Sequence, residues 1–469
     1  MARRTSERIW RTTAMVLCAA VPASFYLLGD LTDAFPGVLT LESSPAAPGA
    51  GPGAQAEDWE RVDAPAPGPA VAPSTDPDLA DDLEERMSAQ AALPVVEGNL
   101  AFSVVDADTG AVLASRDAET ARTPASTLKL LTAAAVLRLY TGDEVLTTRA
   151  TVQDGLITLQ GGGDMTLSTQ QLEDLAAQAA DLAKEQGTTS VSLALDDTFL
   201  VGGSNPAWGN NGPAGGWVTP TASLAVEEGW LDGEQYGPKS TDPAGDAAEL
   251  FAQLLDDQGL TVQGGVTAGQ APAEAPSVEV HSEPLEQIVR HTLLISDNTT
   301  AELLAHLVAD ARGEETTPQG SAAAVEGEIR DLAAELGLDP QMLEGLEIRD
   351  GSGLSRDDRV PPALLAAVLG EVASGDAPVL QQILFDIPIA GLSGTLVDRF
   401  DETDTRNARG LVRGKTGYLG GSATLAGVVV LSDGRTAGYS IVVHGFDGVD
   451  AVAARAAVDE VAAEMAEAS

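Results

Sequence analysis

A single cysteine, Cys18, serves 469 residues, and it falls in an apolar stretch near the N-terminus. The rest of the chain therefore has neither a disulfide nor a thiolate to offer a metal or a substrate. Histidine is scarce too. His281, His291, His306 and His444 show no H-E-x-x-H or similar ligand spacing, so they are read as isolated structural residues and no metal is expected. Aromatics make up 4% of the chain. A broad basic face is missing as well: the formal net charge is -45 and the pI about 4.1, which argues against nucleic acid or an anionic membrane surface bound through such a face. The most telling shortage is lysine, with four against twenty-two arginines. Arginine keeps its proton in proteins, whereas a lysine in a cationic or desolvated pocket can become a neutral base. Two of the four lysines stand in short triplets, Ser126-Thr127-Leu128-Lys129 and Lys415-Thr416-Gly417.

The length predicts two folded units, with apolar residues (44%) enough for substantial cores. Residues 1–11 carry four arginines, and residues 12–29 carry no charge. This pattern is expected to be a signal anchor or a cleaved signal peptide, with the basic flank cytoplasmic and the folded body outside the membrane. Leu17 before Cys18 does not suit a lipoprotein signal. Residues 30–76 are rich in Pro, Ala and Gly, cannot bury enough apolar surface to offset chain entropy, and are expected to be a disordered tether.

Asp78–Ala92 reads as a charged helix, and Leu100–Val105 with Ala111–Ser115 as a hairpin. A helix through Leu128–Leu139 follows, with Thr123 as its cap and Pro124 in the first helical position. From residue 147 the texture changes to short strands, turns and an amphipathic helix, and Trp208, Trp217 and Trp230 lie in a Gly/Pro-rich stretch. Residues 147–274 are thus expected to be a domain inserted into a second one formed by 77–146 and 275–469. Helices are expected at Leu285–Leu294 and Ala301–Ala311. Ser422–Leu431 and Arg435–His444 read as a hairpin, and Val449–Met465 as a closing helix.

The spacing of three puts Ser126 and Lys129 on one helix face, with Ser126 in the first turn, where free N–H groups favour developing negative charge. Lys415 and Thr416 precede the hairpin and could face a carboxylate, while Gly417, lacking a side chain, would let a peptide approach the strand edge. Between them lies Ser296-Asp297-Asn298. Taken alone it also reads as helix punctuation, because Thr299-Thr300-Ala301-Glu302 resembles a capping box.

In this order and spacing the three triplets resemble those of penicillin-binding proteins and class A β-lactamases. Further strings are similar to the class C penicillin-binding proteins, the D-alanyl-D-alanine carboxypeptidase/endopeptidase family. They are Thr123–Thr132, Gly161-Gly162-Gly163-Asp164, Asp196-Asp197-Thr198, Ser282-Glu283-Pro284-Leu285, Asp350–Ser355, Gly394-Thr395-Leu396 and Leu425-Ala426-Gly427.

The resemblance implies an α+β penicillin-recognising serine transferase fold, an antiparallel sheet flanked by helices plus a helical lobe, with an inserted second domain. It implies a carboxypeptidase, with endopeptidase action also open, that acts on peptidoglycan stem peptides ending in D-Ala-D-Ala and is acylated by β-lactams, without a cofactor. By the same resemblance Ser126 is the nucleophile and Lys129 its base, with the nearby charge of Lys415 helping to keep that amine unprotonated. Ser296 protonates the leaving D-alanine and Asn298 holds the substrate amide. Lys415 and Thr416 bind the terminal carboxylate, Gly417 and Tyr418 join Thr416 as substrate-binding residues, and the N–H groups of Ser126 and Tyr418 form the oxyanion hole. Tyr418 departs from the Ser or Thr common in the family. A β-lactamase-like hydrolase and a decayed wall-binding scaffold remain the alternatives.

Overall fold

The computed structural model describes residues 77–96, 98–233 and 237–466. The basic segment, the anchor or signal and the whole of the tether lie outside them.

The first helix, α1 (Pro77–Ala89), leads to the hairpin β1 (Leu100–Asp106) and β2 (Val112–Arg116). Helix α2 (Leu128–Leu139) follows a 3-10 turn at Ala125–Thr127. The next stretch holds β3 (Thr147–Gln153), β4 (Leu156–Gln160), β5 (Asp164–Leu167), α3 (Thr169–Glu185), β6 (Ser190–Asp196), β7 (Leu224–Val226), α4 (Pro243–Asp257), β8 (Thr261–Val262), β9 (Thr267–Ala268) and β10 (Ser277–His281). Helices α5 (Leu285–Ile295), α6 (Asn298–Arg312), α7 (Pro318–Glu335), α8 (Pro362–Ser374) and α9 (Gln381–Asp386) come next. Strands β11 (Val412–Leu419), β12 (Ser422–Val430) and β13 (Thr436–His444), then α10 (Ala451–Glu464), complete the described chain.

Strands β11-β12-β13-β1-β2 form one antiparallel sheet in that order. The alternation of β1, β12 and β13 gives the sheet two apolar faces. One packs Phe102, Leu425, Tyr439 and Ile441 with Ala454, Val458 and Val461 of α10. Helix α8 lies against the sheet from the helical side. A second core gathers α5, α6, α7 and α8 around α2. From Leu128 to Leu137 every residue of α2 is buried. A helix apolar on all sides belongs in the middle of a lobe, and Lys129 is buried with it.

The segment after α2 builds its own mixed sheet, ordered β10-β3-β4-β6-β8, over α3 and α4. The chain leaves for it at Leu146 and returns at Ser282. These two residues are joined by Ser282 N donating to Leu146 O at 2.9 Å and Leu146 N donating to Ser282 Oγ at 2.9 Å. The return thus falls later than position 275, because Ser277–His281 adds a strand to β3. That strand alternates exposed and half-buried residues, a pattern too weak to locate from composition.

Candidate active site

The turn that carries Ser126 is held from three sides. Ala125 is buried and adopts a positive φ of 48°, a strained conformation for a residue with a Cβ that persists only where the surroundings enforce it. Thr127 and Thr424 both donate to Pro124 O, at 2.7 and 2.9 Å, and Ser422 donates to Thr123 O at 2.9 Å. The expected cap does not form: the Thr123 hydroxyl instead accepts from Arg359 Nη1 at 3.1 Å. Two glycines make room for the turn. A Cβ on Gly353 (φ +81°) would lie 2.0 Å from Ala125 O, and one on Gly417 would lie 2.1 Å from Thr424 Oγ1 and 3.0 Å from Ser126 N. Gly417 therefore admits the nucleophile turn to the strand, a tighter requirement than the approach of a peptide.

Lys129, fully buried, donates to Ser126 Oγ at 3.0 Å, Asn298 Oδ1 at 2.8 Å and Ser352 O at 2.6 Å. Burial pushes its pKa down to about 8, against the pull of the carboxylates of Asp350, Asp297, Glu302 and Asp358. Desolvation is thus the main reason its amine can lose a proton. Lys415 is also fully buried. It donates to Ser296 Oγ at 2.7 Å and Thr416 O at 2.8 Å, and burial first, then the charge of Lys129, hold its pKa well below the usual lysine value. Its amine is turned to Ser296, not into the cleft, which corrects the expectation of direct contact with a carboxylate. We expect the acylation rate to fall about tenfold per pH unit below about 8, because only the neutral amine of Lys129 accepts a proton. Rate constants for penicillin acylation from acidic to alkaline pH check this; a rate independent of pH on that limb contradicts it.

Ser296 ends α5 in the left-handed region, with φ 65°. Asp297 caps α6, accepting from Thr300 N at 2.7 Å. The capping box does not form: Thr299 and Glu302 are both buried, the Thr299 hydroxyl accepting from Lys239 Nζ at 3.1 Å. Asn298 Nδ2 donates to Trp217 O at 2.8 Å, which leaves its second amide hydrogen for a substrate carbonyl. Lys239 went unnoticed in the sequence, although the scarcity of lysine was its signal. Its buried amine lies 3.6 Å from Asp297 and 3.7 Å from the centre of the Trp230 ring, tying the inserted segment to the second triplet. The tryptophans divide between packing and cleft. Trp208 is 2% exposed, whereas Trp217 is 54% exposed at the rim.

The Asp350–Ser355 loop was legible as a string but not as machinery. Asp350 accepts from the N–H groups of Ser352, Gly353 and Ser355 at 3.1, 2.6 and 2.6 Å, and this fixes Ser352 O over Lys129. Burial, then Asp350, raises Glu302 to about 8 and lifts Asp358 well above the carboxylate range. Glu302 and Asp358 thus favour their protonated forms beside the Asp350 carboxylate, in place of a stack of anions.

Ser126, Ser296, Asn298, Thr416, Gly417 and Tyr418 line one cleft of about 650 Å³, together with Thr395, Arg399 and Arg455. Thr395 and Thr416 share a hydroxyl hydrogen bond of 2.8 Å. The Tyr418 ring packs toward Phe446, and the Arg455 guanidinium lies 4.4 Å from its centre. Strand β11 is the sheet edge. Its first half is covered, since Ala390 N donates to Val412 O at 2.9 Å and Gly414 N to Pro388 O at 2.8 Å. By the two-residue period Thr416 and Tyr418 turn their backbone groups the same way, along an edge not covered by 388–390.

With a buried amine beside a serine hydroxyl in such a cleft, the site is that of an active-serine acyl-transfer enzyme, and the fold is of the penicillin-recognising kind. Penicillin binding protein 4 from Haemophilus influenzae aligns with a TM-score of 0.63 at 20% identity, over 82% of this chain and 97% of that one. Residues 82–239 and 231–465 match the D-Ala-D-Ala carboxypeptidase 3 (S13) family, and the chain belongs to that family. It is similar to carboxypeptidase DacB of Mycolicibacterium smegmatis, at 34% identity over 83% of this chain and 88% of the relative. It is also similar to the D-alanyl-D-alanine carboxypeptidase of Actinomadura sp., at 29% over 82% and 85%.

Proposed function

We propose that the chain is a serine D-alanyl-D-alanine carboxypeptidase that trims peptidoglycan stem peptides outside the cytoplasmic membrane, held there or exported by residues 12–29, and that β-lactams acylate it. The contact that carries the proposal is the 3.0 Å hydrogen bond from the buried Lys129 amine to Ser126 Oγ. Neutral Lys129 takes the Ser126 proton as the oxygen attacks the carbonyl of the penultimate D-alanine. The N–H groups of Ser126 and Tyr418 hold the oxyanion. As the C–N bond breaks, Ser296 gives its proton to the departing amine and regains one through Lys415. Asn298 holds the substrate amide, and water then releases the acyl-enzyme. The substrate's carboxylate is met by Thr416 and Thr395, with Arg455 supplying charge at the same rim.

The edge of β11 favours an exopeptidase. Ile389 bridges Arg413, so a peptide added alongside Thr416 and Tyr418 meets closed backbone just past its C-terminal residue. The expected outcome is release of D-alanine from a peptide ending in D-Ala-D-Ala, and release at least about tenfold slower from the same peptide extended by one residue. No release, or equal turnover of both, would count against the proposal.

A further inference from the structure

Three of the four lysines, Lys129, Lys239 and Lys415, are buried. The first and last meet Ser126 and Ser296. Lys239 comes from the inserted segment, between β7 and α4, and its amine donates to Glu228 O at 2.8 Å and Thr299 Oγ1 at 3.1 Å. Its side chain is 0% exposed and that of Asp297, 3.6 Å away, is 6% exposed. A buried charge is costly unless an opposite one is close, so each ion makes the burial of the other tolerable.

The backbone around Lys239 holds the amine in that place. Ser240 N donates to Gly229 O at 2.7 Å and Leu231 N to Pro238 O at 3.0 Å. Lys239 therefore stands opposite Trp230 on a short antiparallel ladder, and the Trp230 ring covers its amine at 3.7 Å. Glu227 and Glu228 take positive φ, 47° and 56°, strained for residues with a Cβ and kept only where the surroundings enforce it. The Glu228 carboxylate meets His291 Nε2 of α5 at 2.7 Å. Thr219 N donates to Thr299 Oγ1 at 3.3 Å, and Trp217 O accepts from Asn298. Trp217, Thr219, Glu228 and Lys239 thus grip both helices that flank the second triplet, α5 before Ser296 and α6 from Asn298.

Asp297 also acts in the other direction, because its carboxylate is one of those that pull Lys129 toward the protonated form. Lys239 stands against that pull. The other charged groups near the pair are Glu228 and His291 on the side of the inserted segment. On the side of the cleft they are Lys129 of α2, Glu302 of α6, and Asp350 and Asp358 of the loop before α8, with Lys415 of β11 facing Lys129. Among these Lys239 is the cation paired with Asp297. We propose that Lys239 is a positioning residue for acylation: it seats the second triplet through Asp297 and Thr299, and it offsets the Asp297 charge so that the Lys129 amine is free to take the Ser126 proton. The proposal rests on the acyl-enzyme reading and gives the inserted domain a part in that reaction.

The rate constant for penicillin acylation, measured across pH on the full chain with circular dichroism as the check on folding, tests it. Lys239→Met leaves the Asp297 carboxylate without its cation, so the acid limb of the profile should move up by about half a pH unit or more. Asp297→Asn can keep the cap on α6 and should move the limb down, and K239M/D297N should lie between the two. A merely structural lysine would lower the rate at every pH and leave the limb in place. That result, or a limb moved down by K239M, would overturn the proposal. If K239M does not fold, D297N and K239M/D297N decide: a higher limb in the double variant supports the proposal, and equal limbs overturn it. No adduct on the folded wild type would sink the acyl-enzyme reading itself, and the proposal with it.

Discussion

Replacing Lys129 with arginine should abolish acylation, lowering the rate at least about 10⁴-fold while keeping the positive charge. The reason lies in the three acceptors around the amine. Ser126 Oγ, Asn298 Oδ1 and Ser352 O surround a single nitrogen at 2.6 to 3.0 Å, and the space is closed to solvent. A planar guanidinium fits this cage badly, and even if seated it cannot give up a proton near neutral pH. Labelling by a fluorescent penicillin, with circular dichroism to confirm folding, checks the expectation. A folded variant labelled at the wild-type rate would remove Lys129 from the reaction.

The second large effect is expected from Asp350→Ala, at a residue that touches neither Ser126 nor the cleft. Its carboxylate accepts three buried backbone N–H groups. Orphaning buried donors costs about 1–3 kcal/mol each, so a loss of roughly 3–5 kcal/mol of stability is expected. The loop also supplies Ser352 O to Lys129 and packs Gly353 against Ala125 O, so acylation of the remaining folded protein should fall by about 10²-fold or more. Urea denaturation and acylation kinetics on the same sample separate the two losses. A variant of wild-type stability and rate would show that the loop is not needed to seat the lysine.

The sheet hairpins, the helix through Leu128–Leu139 and the closing helix were legible because their periodicity and turn residues agree with the fold. The two lysine-bearing strings were legible because lysine is scarce, whereas Ser296-Asp297-Asn298 was informative only in their company. The direction of the Lys415 amine was not, since its strand position says which face it takes but not that Ser296 waits beneath. Thr123 and the Thr299–Glu302 string followed local capping rules, and tertiary partners overrode both: Arg359 holds Thr123, while Lys239 and Trp208 hold Thr299 and Glu302. Glu302 comes from a stretch of sequence far from Asp350 and Asp358, and nothing short of packing brings the three acids together around Lys129. The late return at Ser282 depends on a strand whose exposed alternation resembles ordinary loop sequence.

The central claim is that Ser126 and Lys129 act as one nucleophilic unit. It is tested most directly by the intact mass of the protein after penicillin treatment, followed by peptide mapping of the adduct. One penicilloyl group on the peptide containing Ser126 is the predicted result, absent from Ser126→Ala. An adduct on a different serine, or no adduct on the folded wild-type protein, would contradict it.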